Sequence, residues 1–179
     1  MNAPPNDISP PELARLSVEA FIRDAARLLS PQQPEGLLAQ RAGVFVTLRT
    51  VTAGLRGCIG TIEPSQLSVA EEIIQNAVSA ATRDPRFRPV TVQELPNLLY
   101  GVDVLNPPEP ARGPEDLDPS VYGVIVETLD QGRRGLLLPR IEGVETVYQQ
   151  WAAVHQKAGI RLGTPVRTER FTVTRFGKD

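Results

Sequence analysis

Arg56 and Cys58 stand two residues apart in the stretch "LRGCIG" (55–60), and Cys58, between Gly57 and Gly60, is the single cysteine of the chain. A thiolate is a strong nucleophile, with an ordinary pKa of about 8.5. A neighbouring guanidinium favours it and can anchor an anionic substrate. If the stretch is a strand, Arg56, Cys58 and Gly60 share one face, with the first two about 7 Å apart at Cβ. A guanidinium within about 6 Å of sulfur attracts it by about 3 kcal/mol at an effective dielectric of about 20, which lowers a thiol's pKa by about two. In water the attraction falls below about 1 kcal/mol, and burial itself raises a thiol's pKa. The opposing reading makes Cys58 a small buried hydrophobe. Gly57 and Gly60 carry the same pair of readings: a bulge or close helix packing, or room for a ligand at the backbone.

Three further sites hold chemistry-bearing residues. In "DPRF" (84–87), Asp84 can hold Arg86 or cap a turn, with Phe87 entering the core. The alternative presents Arg86 at a sheet edge for an anionic group. Lys157 in "QKAG" is a candidate anion contact, or a favourable charge at a helix C-terminus. His155 follows Trp151 by four residues, so both lie on one helix face, where a packed histidine is expected. The spacing "GLRGCIG" is not the dinucleotide fingerprint G-x-G-x-x-G, and no Walker phosphate loop occurs. One histidine and one cysteine argue against zinc, and no acidic cluster points to another metal. No metal and no bound cofactor are therefore expected.

Length and composition set the frame. The chain has 179 residues, 41% hydrophobic and 22% charged, with a net charge of −2. This suits one globular domain, or one with two lobes. Only Lys157 and Lys178 among the 19 cations are lysine. The arginines are scattered rather than striped, so nucleic acid is not an expected partner. No apolar run approaches the ~20 residues of a membrane span, and "MNAPPNDISPPE" has neither part of a signal peptide. A cytoplasmic location and no membrane partner are the expectations. The sequence sets no oligomeric state.

The elements that must position these residues follow from period and punctuation. Residues 1–8 read as a flexible arm. Ser9, Pro10 and Glu12 form a capping box with proline at the first helical turn. The helix they open is expected to run to about Ser30, before Pro31 and Pro34. "GVFVTLRT" (43–50) and "LRGCIGTI" (55–62) read as a hairpin turning at "VTAG", with Gly54 free to take positive φ. Ser68 and Glu71 open a second helix that "DPRFRPV" (84–90) stops. "VQELPNL" reads as a short helix or turn, and "LYGVDVLN" (99–106) as a strand. The proline-rich segment 106–120 reads as a surface connection. "YGVIVET" and "RGLLLP" flank "LDQGR" as a second hairpin. Thr146 and Gln149 cap a third helix that Gly159 ends, and "RTERFTVTRF" (167–176) closes the chain as a strand. This order gives an α+β fold: a mostly antiparallel sheet with packed helices, in two subdomains sharing one core.

"LRGCIGT" resembles the signature of the AMMECR domain family, whose prokaryotic members are called AmmeMemoRadiSam system protein A. "GVFVTL", "DPRF" with Pro89, "VDVLNPPE", "RGLLLP" and "QKAGI" follow in the family's order, so the resemblance covers about residues 12–176. Residues 9–179 are then a single AMMECR-like domain with two lobes. The resemblance implies an α+β fold with two subdomains and no particular reaction. It also implies a process shared with a Memo-like protein and a radical-SAM protein. Arg140 replaces the family's glutamine after "LLLP", and Asp103 replaces the serine of its "VSVL" strand. Two functions are carried forward. One is a cytosolic enzyme acting on a small or peptide-like anionic substrate, with Cys58 as nucleophile assisted by Arg56, and with Gly57, Gly60, Arg86 and Lys157 binding. The other is a non-catalytic binding or adaptor module working with the Memo-like and radical-SAM proteins.

Overall fold

The structure is a computed structural model that describes residues 3–52 and 54–177. It is α+β, with two four-stranded antiparallel sheets, and the chain divides into two compact units, Met1–Val104 with Thr174–Asp179, and Leu105–Val173. Each unit has its own buried apolar cluster. The strands expected in one sheet around one core are thus shared between two.

In the first unit, helix α1 (Pro10–Asp24) is followed by β1 (Val44–Thr50), β2 (Gly54–Gly60), helix α2 (Val69–Thr82) and β3 (Leu98–Leu105). The last strand of this sheet is β8 (Val173–Phe176), and the strand order is β2-β1-β3-β8. Gly54 takes φ +70° at the hairpin turn; its neighbour Ala53 lies outside the described residues. Val44, Val46 and Leu48 alternate into the core opposite Val104, Val102 and Tyr100 of β3, against α1 and α2. Phe45, Thr47 and Arg49 therefore occupy the other, half-buried face. From the expected arm, Ile8 joins this core, and Asn6 Oδ1 accepts a hydrogen bond from the Gln33 N–H at 3.1 Å.

Helix α1 ends six residues before the expected Ser30. Ala25 turns into the left-handed region at φ 52°, and the N–H groups of Ala25 and Ala26 return to Phe21 and Ala20. These reversed bonds close the helix without a glycine. Ser9 makes no side-chain cap bond, and Glu12 pairs with Arg15 instead. The Ser68 cap does form, accepting from Glu71 N–H at 3.3 Å.

In the second unit, β4 (Glu109–Ala111), β5 (Gly123–Thr128), β6 (Arg134–Leu137), helix α3 (Val147–Ala158) and β7 (Val166–Phe171) build a sheet of order β4-β7-β5-β6. The short β4 lies within the segment 106–120 expected as a surface connection. Its Pro110 fits an edge strand, which needs one backbone donor fewer. The expected final strand 167–176 is two strands in different sheets. Asn106 holds the break at Thr172: its N–H donates to the Thr172 carbonyl at 3.0 Å and its Nδ2 to Thr172 Oγ1 at 2.8 Å. Thr146 and Gln149 form a complete capping box at α3, and Gly159 ends the helix at φ 65°.

A single device lets a helix lie close on each sheet. A Cβ on Gly57 of β2 would overlap the Ala80 carbonyl oxygen of α2, and one on Gly135 of β6 would meet the Ala158 Cβ of α3 at 2.6 Å. At Gly57 the obstacle is backbone, which cannot rotate away. Gly57→Ala is expected to cost about 1–3 kcal/mol through overpacking. It should be read as a lowered urea midpoint at constant m-value; an unchanged midpoint would show that α2 is free to shift.

Candidate functional site

Cys58 lies on β2, the outermost strand of its sheet, opposite Thr47 of β1. Cross-strand partners share a face, so the thiol stands on the half-buried face away from the helices. The Thr47 hydroxyl donates to Cys58 Sγ at 3.4 Å, and the cysteine is itself half-buried.

The backbone of Cys58 faces outward along the sheet edge, and the turn after α2 covers it. Asp84 Oδ2 accepts the Cys58 N–H at 2.8 Å, and Arg86 Nη2 reaches the Cys58 carbonyl at 3.5 Å. Asp84 also holds Arg86 with a two-pronged grip, from Nε to Oδ1 at 2.9 Å and from Nη2 to Oδ2 at 2.7 Å. Its Oδ1 further accepts the Arg86 N–H at 3.1 Å. The Asp84 side chain is 2% exposed, while that of Arg86 is 54% exposed. The Arg86 guanidinium, together with the two backbone N–H donors, holds the Asp84 carboxyl well below the usual carboxylate range, against the opposing effect of burial. Arg86 is pushed up in turn, first by Asp84 and in smaller part by the nearby Cys58. "DPRF" is thus a plug for a strand edge, which would otherwise offer free backbone groups. Phe87 does not enter the apolar core. It lies half-buried between two cations, with the Arg86 and Arg56 guanidinium carbons 5.5 and 5.8 Å from its ring centre.

Arg56 departs from simple alternation. Leu48 pairs with Gly57 and Arg49 with Leu55, so Arg56 is the extra residue of a β-bulge. Its Nε and Nη2 bind Glu94 Oε1 and Oε2 at 2.6 and 3.2 Å. The remaining nitrogen, Nη1, is buried without a hydrogen-bond partner among the described residues. Glu94 opens a short 3-10 helix (Val92–Asn97) in a capping box with Thr91, whose N–H and hydroxyl it accepts at 2.8 and 3.0 Å. Arg56, helped by Thr91, lowers the Glu94 pKa from 4.5 to about 2.

The structure therefore gathers Cys58, Arg86, Asp84, Phe87, Arg56 and Glu94 around one strand edge. The contacts of Arg56 run to Glu94 and Phe87, not to the thiol. Gly57 lies under Ala80, and Gly60 under the Phe45 ring. Lys157 is an exposed residue of α3 in the second unit. His155, on the same helix, is buried, with Nδ1 at 2.9 Å from the Trp151 carbonyl and its ring against the Trp151 indole. The sequence reading missed Glu94 and Thr47. "TVQE" (91–94) carried a capping-box signature that marks Glu94, and alternation along β1 marks Thr47. Among the described residues no three His, Cys, Asp or Glu side chains are placed to hold a metal. No helix among them is long and apolar enough to cross a membrane.

A two-unit α+β protein with a plugged strand edge beside its single thiol is the class defined by fold and site. The family model described as AMMECR1 matches residues 11–179, and the chain belongs to that family. A Thermotoga maritima protein is 48% identical over 162 residues, covering 89% of this chain and 91% of its own length. A Clostridium acetobutylicum protein is 43% identical over 167 residues; the match covers 92% of this chain but 35% of that protein. The crystal structure of an uncharacterized Pyrococcus horikoshii protein is similar with a TM-score of 0.86 at 31% identity, covering 95% of this chain and 90% of that one.

The pair Arg56–Glu94 ties its strength to pH. Because the folded-state pKa of Glu94 is depressed, its stabilisation is complete above about pH 4.5 and is lost as pH falls towards about 2. Urea unfolding between these values should show declining stability, and Glu94→Gln should flatten that decline. Asp84→Ala leaves the Cys58 N–H without an acceptor and should cost about 1–3 kcal/mol at neutral pH.

Proposed function

We propose that the chain is a binding module whose recognition surface is the open face of the first sheet around Cys58. The observation that carries this reading is charge compensation. Arg56 is spent on Glu94 and Arg86 on Asp84, each through two hydrogen bonds. Neither guanidinium stands as an unbalanced charge to anchor an anionic substrate beside the thiol. The face itself offers mixed chemistry: the Thr47 hydroxyl, the Cys58 thiol, the Arg49 side chain and, paired across from Arg49, Leu99, which is 38% exposed. Such a mixture suits protein contact. The Clostridium acetobutylicum relative, in which the matched part is about a third of a longer protein, supports a modular role. The family resemblance supplies the partners: a Memo-like protein and a radical-SAM protein, met in the cytoplasm.

The second reading is an enzyme that uses Cys58 as nucleophile on a small or peptide-like anionic substrate. It is favoured by the half-buried thiol that accepts from Thr47 and interacts with Arg86. The two readings separate in one calorimetric series against the Memo-like and radical-SAM proteins of the same genome. For the module, Leu99→Asp weakens binding by about tenfold or more, as loss of a buried apolar contact does, while Cys58→Ser changes it less than about threefold. Absence of binding to both proteins would discard the module. A loss of in vivo function by Cys58→Ser with binding intact would favour the enzyme.

A further inference from the structure

Beside β8, at the other edge of the sheet from β2, a cleft of about 310 Å³ lies between the start of α1, the segment 35–38 and the last strand. Its floor is apolar: Ile8, Pro10 and Leu38 are buried, and Leu37 and Phe176 are half-buried. Its rim carries two exposed carboxylates, Asp7 and Glu35, and neither has a hydrogen-bond or ion-pair partner among the described residues. Among the described residues no cation lines the cleft. Gly36, between Glu35 and Leu37, has φ +55° and open space where a Cβ would stand, so the rim is unobstructed there. Phe176 belongs to β8, the edge strand opposite β2 in that sheet.

An apolar floor under two negative charges that are unpaired among the described residues selects a ligand with an apolar body and a positive head. The volume sits at the lower end for small-molecule pockets, which enclose most of their ligand. An open cleft of this size has room for one bulky side chain of a larger partner. A segment seated on Phe176 also runs beside a sheet edge, where extended peptides dock. We propose that this cleft receives a bulky apolar side chain of a partner protein's extended segment, with an adjacent lysine or arginine paired to Asp7 and Glu35. The site is separate from the Cys58 face and does not rest on the reading given for it.

The test uses the full chain and three fluorescein-labelled peptides in a glycine–serine frame, with lysine–phenylalanine–arginine, lysine–glycine–arginine or glutamate–phenylalanine–glutamate at the centre. Fluorescence polarisation should detect the first peptide below about 1 mM, and bind the other two at least about tenfold more weakly. Amide shift changes on the wild-type chain should centre on Ile8, Gly36, Leu38 and Phe176. The double change Asp7→Lys with Glu35→Lys touches only exposed rim side chains. It should weaken the first peptide by about tenfold and strengthen the glutamate peptide, whereas Cys58→Ser should leave both unchanged. Equal binding of the glycine peptide would reduce the effect to bulk charge and overturn the proposal. So would shifts that centre elsewhere, indifference to the double change, or no binding up to about 1 mM.

Discussion

The carboxylate of Asp84 is the point on which the first unit turns. It is buried, yet it is ionised and fully engaged: one oxygen takes the Cys58 N–H and Arg86 Nη2, the other takes the Arg86 N–H and Nε. A buried charge is tolerated only when paired and hydrogen-bonded. By meeting that demand, Asp84 ties the exit of α2 to the edge of β2. The turn then covers a strand edge that would otherwise be free to pair with another chain. Arg86 is held in place by this arrangement, and Phe87 is left between Arg86 and Arg56.

The same tie constrains the face beside it. Because the backbone of Cys58 is gripped from outside, its thiol is committed to the face opposite the helices, next to Thr47. The β-bulge at Arg56 directs the neighbouring cation away to Glu94. Charge is balanced within the plug, and the sheet face beside it carries the Thr47 hydroxyl, the Cys58 thiol, the Arg49 side chain and apolar groups. It is this distribution that underlies the recognition surface proposed above.

Much of the architecture was legible in local sequence. The hairpin of 43–50 with 55–62, the Ser68 cap, the capping box at Thr146 and the glycine stop at Gly159 depend on residues a few positions apart, and the structure contains each, although Glu71 does not complete a box at Ser68. The failures were of a different kind. Helix α1 stops at Asp24 because Ala25 adopts a left-handed conformation, which an alanine does not advertise. The final strand divides because Asn106 binds Thr172, 66 residues away. The strand β4 forms because β7 offers it an edge.

The sequence by itself determined membership in the family, the α+β class, and the presence of Cys58 on a glycine-flanked strand. Those follow from short-range spacing, and from a signature that runs in order along the chain. Only the tertiary structure decided what surrounds the thiol. Arg56 and Glu94 are 38 residues apart, and Cys58 and Asp84 are 26 apart. A pairwise charge or hydrogen bond depends on separation in space, and strand alternation alone placed Arg56 with the wrong neighbour. One extra residue in β2 was enough to move its guanidinium from the thiol to a carboxylate.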